Sequence, residues 1–115
     1  MKRIALVAFN GESGCFIHVL LNSLDMANKG HEVKIVVEGA ATALVPEMVE
    51  PGSPLHGLYS QAREKKLIDA VCRACSAKNG VLEAVEAAGL PIADEMAGHP
   101  SIRRYMEAGY EIVTF

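Results

Sequence analysis

Short apolar runs alternate with segments of helical periodicity along the chain, and this alternation constrains the fold more than any other feature. Three runs are rich in β-branched residues: RIALVAF at residues 3–9, HEVKIVVEGA at 31–40 and LIDAVC at 67–72. Apolar runs of this length, bounded by charged residues and glycines, are typical of strands that are covered on both faces. Between the first two runs, apolar residues recur at helical spacing, which predicts a helix from Cys15 to Lys29 that Gly30 closes.

The rest of the chain continues the alternation. We expect a short or broken helix at 42–50, a polar helix at 55–66, a helix at 76–88 closed by Gly89, a short strand at 91–96, a helix at 101–110 capped by Ser101, and a final strand at 111–115. This order predicts an α/β fold with a mainly parallel, doubly wound sheet and right-handed crossovers. A chain of 115 residues is long enough for one core, so we expect a single domain over residues 1–115.

Composition and charge argue against two classes of partner. The net charge is −3 and the longest basic stretch, 63–66, contains Glu64, so the chain lacks the basic face that nucleic acids require. No stretch approaches the ~18 apolar residues of a membrane span. Hydrophobic residues make up 50% of this short chain, which favours burial of apolar surface between copies in a homo-oligomer. The odd number of cysteines, 3, fits a reducing cytoplasm.

A pair of cysteines gives the chain its clearest candidate for chemistry. The segment DAVCRACSAKNGV, residues 69–81, places Cys72 and Cys75 at the carboxyl end of the third predicted strand. Parallel sheets bind ligands at this edge, which here consists of the loops at 10–14, 38–42 and 72–76. Unpaired backbone N–H groups at the start of the next helix favour a thiolate, so we expect a lowered thiol pKa and candidate catalytic roles for both cysteines.

Other interpretations of the pair remain open. Cysteine often packs as a small hydrophobic residue. A zinc site needs four ligands, of which one C-x-x-C supplies two, and no H-x3–5-H motif follows, so we predict no metal and no cofactor. A thioredoxin-type pair opens its helix directly, whereas Cys72 and Cys75 are predicted to straddle the junction of strand and helix. Disulfide exchange is therefore the less favoured use of this pair.

The loop FNGESGC at 9–15 is a second candidate site, because its backbone N–H groups could bind an anion. A tight turn in which Ser13 caps the following helix is an equal alternative. Cys15 is expected to pack in that helix, although it could approach Cys72 at the same sheet edge. Together with the other two loops, this gives a set of candidate binding residues: Asn10, Gly11, Glu12, Ser13, Gly39, Ser76 and Asn79.

The histidines are spread along the chain. His31 begins a strand and is expected at the surface. His56 lies in a loop rich in proline and glycine, which could bring it over the site or leave it in solvent. His99 precedes Pro100 and a predicted helix, where a structural role is expected. No Ser/His/Asp spacing and no carboxylate pair indicates acid–base catalysis.

The segments LIDAVCRACSAKNGV and EAGYEIVTF resemble the DsrE/DsrF-like group, which includes YchN-type and TusD-type sulfur-relay proteins. In that group a cysteine after the third strand is followed eight residues later by Gly-Val or Gly-Ile, as Cys72 is by Gly80 and Val81, and the chain ends in Gly-Tyr plus an apolar strand, as at 109–115. The resemblance, which extends to AFNGE and VVEGAA, implies a flavodoxin-like three-layer sandwich of about five strands that forms trimers or hexamers. It also implies that Cys72, not Cys75, carries a persulfide.

Three functional hypotheses follow. In the first, a cytoplasmic DsrE-like protein accepts sulfane sulfur on Cys72 from a donor protein and hands it to an acceptor, while Cys75 helps to resolve or release it. In the second, a non-catalytic oligomer holds a small anion or nucleotide in the loops at 10–14 and 72–76. In the third, the pair performs thiol–disulfide exchange. The reactivity of the two thiols discriminates among these hypotheses.

Overall fold

Strands and helices alternate along the whole chain in the structure, a computed structural model that describes residues 1–115. The strands are β1 (Arg3–Ala8), β2 (Glu32–Val37), β3 (Ile68–Cys72), β4 (Ile92–Ala93) and β5 (Glu111–Thr114). The helices are α1 (Ser13–Asn28), a 3₁₀ helix (Gly39–Leu44), α2 (Val45–Val49), α3 (His56–Glu64), α4 (Arg73–Lys78), α5 (Leu82–Ala87) and α6 (Ile102–Glu107). No helix is both long and apolar enough to cross a membrane.

The five strands form one sheet in the order β4-β3-β2-β1-β5, and every neighbouring pair is parallel. The chain steps in one direction from β1 to β4 and then returns past β1 to β5. Because crossovers between parallel strands are right-handed, the helices of the first three connections lie on one face and α6 lies on the other. The predicted α/β fold, a flavodoxin-like three-layer sandwich with a parallel sheet of five strands, is confirmed.

The two faces of the sheet bury cores of different size. Alternate residues of β1 point to opposite faces, so that Ile4 and Leu6 belong to a core of 22 buried residues, whereas Ala5 and Val7 belong to a core of 6. The larger core lies beneath α1, α2, α3 and α5. The smaller core contains Tyr105 of α6. Most of the apolar burial that holds the fold is therefore on the side of the first three connections.

The single helix predicted at 76–88 is two helices, α4 and α5. Gly80 has φ of +72°, a left-handed conformation that glycine adopts without steric penalty. Its N–H donates to Ala77 O at 3.1 Å, and the N–H of Val81 donates to Ser76 O at 2.9 Å. This pair of bonds is a Schellman motif, which ends α4 and turns the chain before α5 begins.

Two of three predicted helix starts differ from the structure, and the third, at Ser101, is confirmed in position. Ser13 is the first residue of α1 rather than its cap, and Glu12 at the cap position makes no side-chain cap bond. Ser101 has the cap position of α6, but its hydroxyl makes no cap bond. Cys72 is itself the N-cap of α4, and Cys75 lies in the first turn of that helix rather than before it. The cysteine pair therefore opens its helix directly.

Candidate functional site

Two cysteines and one histidine converge at the carboxyl edge of the sheet. The Nδ1 atom of His99 lies 3.1 Å from the Sγ of Cys72 and 3.6 Å from the Sγ of Cys75. All three ligand-type atoms lie within 4.8 Å of one another. Cys72 ends β3 and Cys75 belongs to α4, whereas His99 comes from the loop between β4 and α6, twenty-odd residues further along the chain. We call these three residues the thiol–imidazole cluster.

Backbone contacts hold His99 in this position. The carbonyl of Gly98 accepts a hydrogen bond of 2.9 Å from the N–H of Ala74, which ties the loop to the first turn of α4. Met96 and His99 exchange two backbone hydrogen bonds, of 2.8 and 2.9 Å, that close the loop on itself. Gly98 has φ of +90°, and a Cβ there would lie 2.9 Å from the Cβ of Ala74. The close approach of loop and helix therefore requires glycine.

The thiol of Cys72 is buried, with 0% of the residue exposed. Burial raises the pKa of this thiol to about 12, and the neighbouring Cys75 side chain contributes to the rise. The N–H of Cys75 donates to Cys72 Sγ at 3.3 Å, which favours the thiolate but does not offset the loss of hydration. The lowered pKa predicted for a thiol at this helix start is therefore wrong for Cys72.

Cys75 is the accessible member of the pair. Its side chain is half-buried and lines a cleft of about 430 Å³ together with His99 and Lys78. Cys72 does not line this cleft. A small molecule or a partner's thiol that enters it therefore meets the Cys75 sulfur first.

The candidate binding residues from the second and third loops lie at the same cleft or directly behind it. Gly39 and Asn79 line it. The amide nitrogen of Asn79 donates to Gly39 O at 3.1 Å and to the hydroxyl oxygen of Thr42 at 2.8 Å, which joins the two loops. Ser76 is buried, and its hydroxyl donates to Cys72 O at 2.6 Å, so it supports the backbone of the pair.

The loop after β1 lies apart from the cluster. Asn10 Oδ1 accepts the N–H of Glu12 at 2.8 Å, which is the geometry of a local turn. Gly11 packs against the backbone of Ala40, where a Cβ would come within 3.0 Å of the carbonyl oxygen. Cys15 has its Sγ 4.0 Å from the Glu12 carboxylate and is not part of the cluster. Asn10, Gly11, Glu12 and Ser13 do not line the cleft that contains Cys75.

A buried carboxyl group lies beside the cluster. Glu38 directly follows β2, is 7% exposed, and has one carboxyl oxygen, Oε2, without a hydrogen-bond partner. Burial raises the pKa of Glu38, and the charge of His99 lowers it in part. Glu38 lines a second cleft of about 800 Å³, whose walls include Phe9 and the segment 100–104.

Neither His99 nor Glu38 is among the site residues predicted from the sequence, although Glu38 belongs to the predicted loop at 38–42. The sequence predicts a structural role for His99 because it precedes Pro100 and a helix, and only the position of the loop after β4 brings it to the two thiols. His31 and His56 lie elsewhere. His56 begins α3, with Nδ1 2.9 Å from Met48 O, and Nδ1 of His31 accepts the N–H of Lys2 at 2.9 Å.

No protein-family model matches the sequence. The chain is 29% identical over 97 residues to an uncharacterized protein of Methanocaldococcus jannaschii, in an alignment that covers 84% of this chain and 77% of the relative. It is 33% identical over 43 residues to an uncharacterized protein of Archaeoglobus fulgidus, covering 37% of this chain and 70% of the relative. The fold is similar to that of a conserved protein of unknown function from Bacteroides thetaiotaomicron, with a TM-score of 0.66, 14% identity, and coverage of 96% of this chain and 94% of the other. The two archaeal proteins are homologues, and the bacterial structure establishes the fold.

Proposed function

We propose that the protein is a DsrE-like sulfur carrier that holds sulfane sulfur as a persulfide on a cysteine of the thiol–imidazole cluster. The observation that carries the proposal is the contact of both cysteines with one imidazole nitrogen beside an open cleft. A nucleophilic cysteine needs a base within hydrogen-bond reach, and His99 Nδ1 meets that requirement. The cleft provides access for the sulfur donor.

The transfer is an exchange in which atoms and electrons balance. The thiol of Cys75 gives its proton to His99 Nδ1, and the thiolate attacks the outer sulfur of a donor persulfide. The sulfur–sulfur bond of the donor breaks, and the donor thiolate leaves with the electron pair. The product is a Cys75 persulfide, which an acceptor thiolate cleaves in the same way. No oxidant or reductant is consumed.

Cys72 and Cys75 differ in burial, and this difference favours Cys75, rather than the Cys72 that the family resemblance implies, as the persulfide carrier. The resemblance implies that Cys72 carries the persulfide, but Cys72 has no exposed surface for a donor to reach. We assign the carrier role to Cys75, which lines the cleft. Cys72 then remains a buried, neutral thiol that contacts the same imidazole as Cys75.

The proposal is tested by incubating the reduced, chelator-treated protein with a persulfide donor and measuring intact mass. We expect the gain of one sulfur atom, reversed by a thiol reductant. The gain should persist in Cys72→Ser and disappear in Cys75→Ser. Cys15→Ser is the matched control, since Cys15 lies outside the cluster, and it should behave like the unmodified chain.

Two other outcomes contradict the proposal in different ways. A gain that is lost in Cys72→Ser but retained in Cys75→Ser would support the assignment that the family resemblance implies. If the unmodified protein takes up no sulfur, the carrier function is wrong and the clefts serve a non-catalytic binding role.

Thiol–disulfide exchange is a second candidate, favoured by one observation. Cys72 is the N-cap of α4 and Cys75 lies three residues later, so the pair opens its helix as an exchange motif does. Formation of a Cys72–Cys75 disulfide on oxidation in a glutathione buffer, at a potential within the range of the buffer, would support this candidate over sulfur transport. A pair that stays reduced throughout would exclude it.

Assembly and location complete the proposal. We infer a homo-oligomer, a trimer or hexamer as the resemblance implies, because β5 is an edge strand that carries the exposed Val113 and lies next to the exposed Met106 of α6. A cytoplasmic location is supported by the three free cysteines. Light scattering coupled to size-exclusion chromatography measures the assembly, and a monomer at all concentrations would contradict it.

A further inference from the structure

The thiol–imidazole cluster offers a donor set suited to a zinc ion. In a tetrahedral zinc site, bond lengths of about 2.3 Å to sulfur and about 2.0 Å to nitrogen place a thiolate and an imidazole nitrogen about 3.6 Å apart. The Nδ1 of His99 lies 3.1 Å from the Sγ of Cys72 and 3.6 Å from the Sγ of Cys75. The two sulfur atoms lie within 4.8 Å of each other, against about 3.8 Å in such a site. Small rotations of the cysteine side chains would therefore bring all three atoms to one ion.

The backbone around the cluster holds these atoms together without an ion. Cys72 is fixed by the end of β3, and Cys75 by the first turn of α4. His99 is held by the hydrogen bond from Ala74 to Gly98 and by the paired bonds with Met96. A site whose ligands are fixed by strand, helix and closed loop loses little conformational entropy when it binds.

A buried carboxyl group is a neighbour of the three ligands. Glu38 is buried beside the cluster, and its Oε2 has no hydrogen-bond partner. The electrostatic influence of this carboxylate reaches both His99 and Cys72. Two thiolates balance the 2+ charge of a zinc ion, so a loaded cluster would add no net charge beside Glu38, and the proposed site rests on its three ligand atoms.

We propose that Cys72, Cys75 and His99 bind a zinc ion through two thiolates and one imidazole nitrogen. Structural zinc sites have four protein ligands, whereas three protein ligands leave one coordination position open. Two of the three ligands, Cys75 and His99, line the cleft of about 430 Å³. The open position is therefore available to water or to a ligand that enters the cleft. Binding releases two thiol protons and involves no electron transfer.

This inference goes beyond the proposed function and does not depend on it. An ion held by both thiolates would prevent Cys75 from attacking a persulfide, so zinc-loaded protein should take up no sulfur. A protein that binds zinc but carries no sulfur when the ion is removed is equally consistent with the site. Metal binding and sulfur uptake are therefore measured separately.

The test is an anaerobic titration of the reduced, chelator-treated protein with Co²⁺, which reports its coordination in the visible spectrum. We expect one equivalent to bind, with the strong bands of a tetrahedral ion and a charge-transfer band from thiolate to cobalt. Zn²⁺ should then displace the cobalt, because sites of nitrogen and sulfur ligands bind Zn²⁺ more tightly than Co²⁺. The tetrahedral bands and the charge-transfer band should both disappear.

Variants assign the ligands. Cys75→Ser and His99→Ala should each weaken binding by more than about 100-fold, since the loss of a ligand exceeds the effect of an outer-shell change. Cys15→Ser and His18→Ala, both in α1 and outside the cluster, should leave binding unchanged. Circular dichroism verifies folding, and if His99→Ala does not fold, Cys75→Ser alone decides. The proposal is overturned if the charge-transfer band is absent from the unmodified protein, or if Cys75→Ser binds cobalt as tightly as the unmodified protein does.

Discussion

At the scale of single residues, the site combines groups that the fold buries at a cost. Cys72 and Glu38 are both buried, and burial raises the pKa of each. Cys72 contacts the N–H of Cys75 and the imidazole of His99, whereas Oε2 of Glu38 has no partner. Buried polar groups without partners lower stability, and they occur most often where a protein binds or reacts. This concentration at one sheet edge is the main physical reason to place function there.

The burial of Glu38 predicts a pH-dependent cost to stability. Its pKa is higher in the folded chain than in the unfolded chain, so the folded state binds more protons in the interval between the two values. Stability must therefore fall as pH rises above the ordinary carboxyl range, near about 4.3, and stay lower beyond the folded pKa. Glu38→Gln should be more stable than the unmodified protein at neutral pH, on the order of 1 kcal/mol, with the difference vanishing in acid.

Chemical denaturation of both proteins from about pH 4 to about pH 8, in the presence of a chelator, measures this difference. Glu86→Gln is the control, because Glu86 is exposed on α5 and its replacement should have little effect at any pH. A stability difference for Glu38→Gln that does not change with pH, or that favours the carboxylate at neutral pH, would show that Glu38 has a partner in the folded chain.

At the scale of secondary structure, local pattern predicts the elements well because it depends on neighbours in sequence. The apolar runs at 3–9 and 67–72 are strands within one residue of the predicted bounds, and the 55–66 segment contains α3. The prediction of one helix at 76–88 is wrong because the apolar periodicity continues through Gly80, whereas the helical backbone ends before it. There, the left-handed conformation of one glycine overrides the pattern of side chains.

The left-handed glycine between α4 and α5 and a glycine inside a helix should respond oppositely to replacement by alanine, as measured by the free energy of unfolding. Gly80→Ala should lower the free energy of unfolding by about 1–2 kcal/mol, because alanine is strained at φ of +72° although nothing lies within 4 Å of its Cβ. Gly57→Ala, inside α3 and also without close neighbours, should raise it by about 0.5–1 kcal/mol. Urea denaturation measures both changes. If the two replacements change the free energy of unfolding equally, the left-handed conformation of Gly80 in the Schellman motif does not contribute to stability.

At the scale of the whole molecule, the site is a product of topology. Glu38 follows β2, Cys72 ends β3 and His99 follows β4. These strands are adjacent in the sheet and parallel, so their carboxyl ends meet at one edge. The sequence indicates the first two of these loops, since the strands before them are long and apolar. It does not indicate the third, because β4 has only two residues and His99 lies six residues beyond it. Proximity in space, not pattern, makes His99 part of the site.

The same topology predicts that loosening the loop after β4 opens the site before it unfolds the protein. Gly98→Ala places a Cβ 2.9 Å from Ala74 and strains a backbone with φ of +90°, so the loop must move away from α4. Cys72, which this loop helps to cover, should then be alkylated by iodoacetamide at least about 10-fold faster, since local opening costs less than global unfolding. The already accessible Cys75 should change little in its rate of alkylation.

Mass spectrometry of the alkylated peptides resolves the two cysteines, and Gly14→Ala at the exposed start of α1 is the matched control. If Cys72 remains as protected in Gly98→Ala as in the control, the loop does not cover it, and the packing of Gly98 against α4 is not what holds His99 at the thiols.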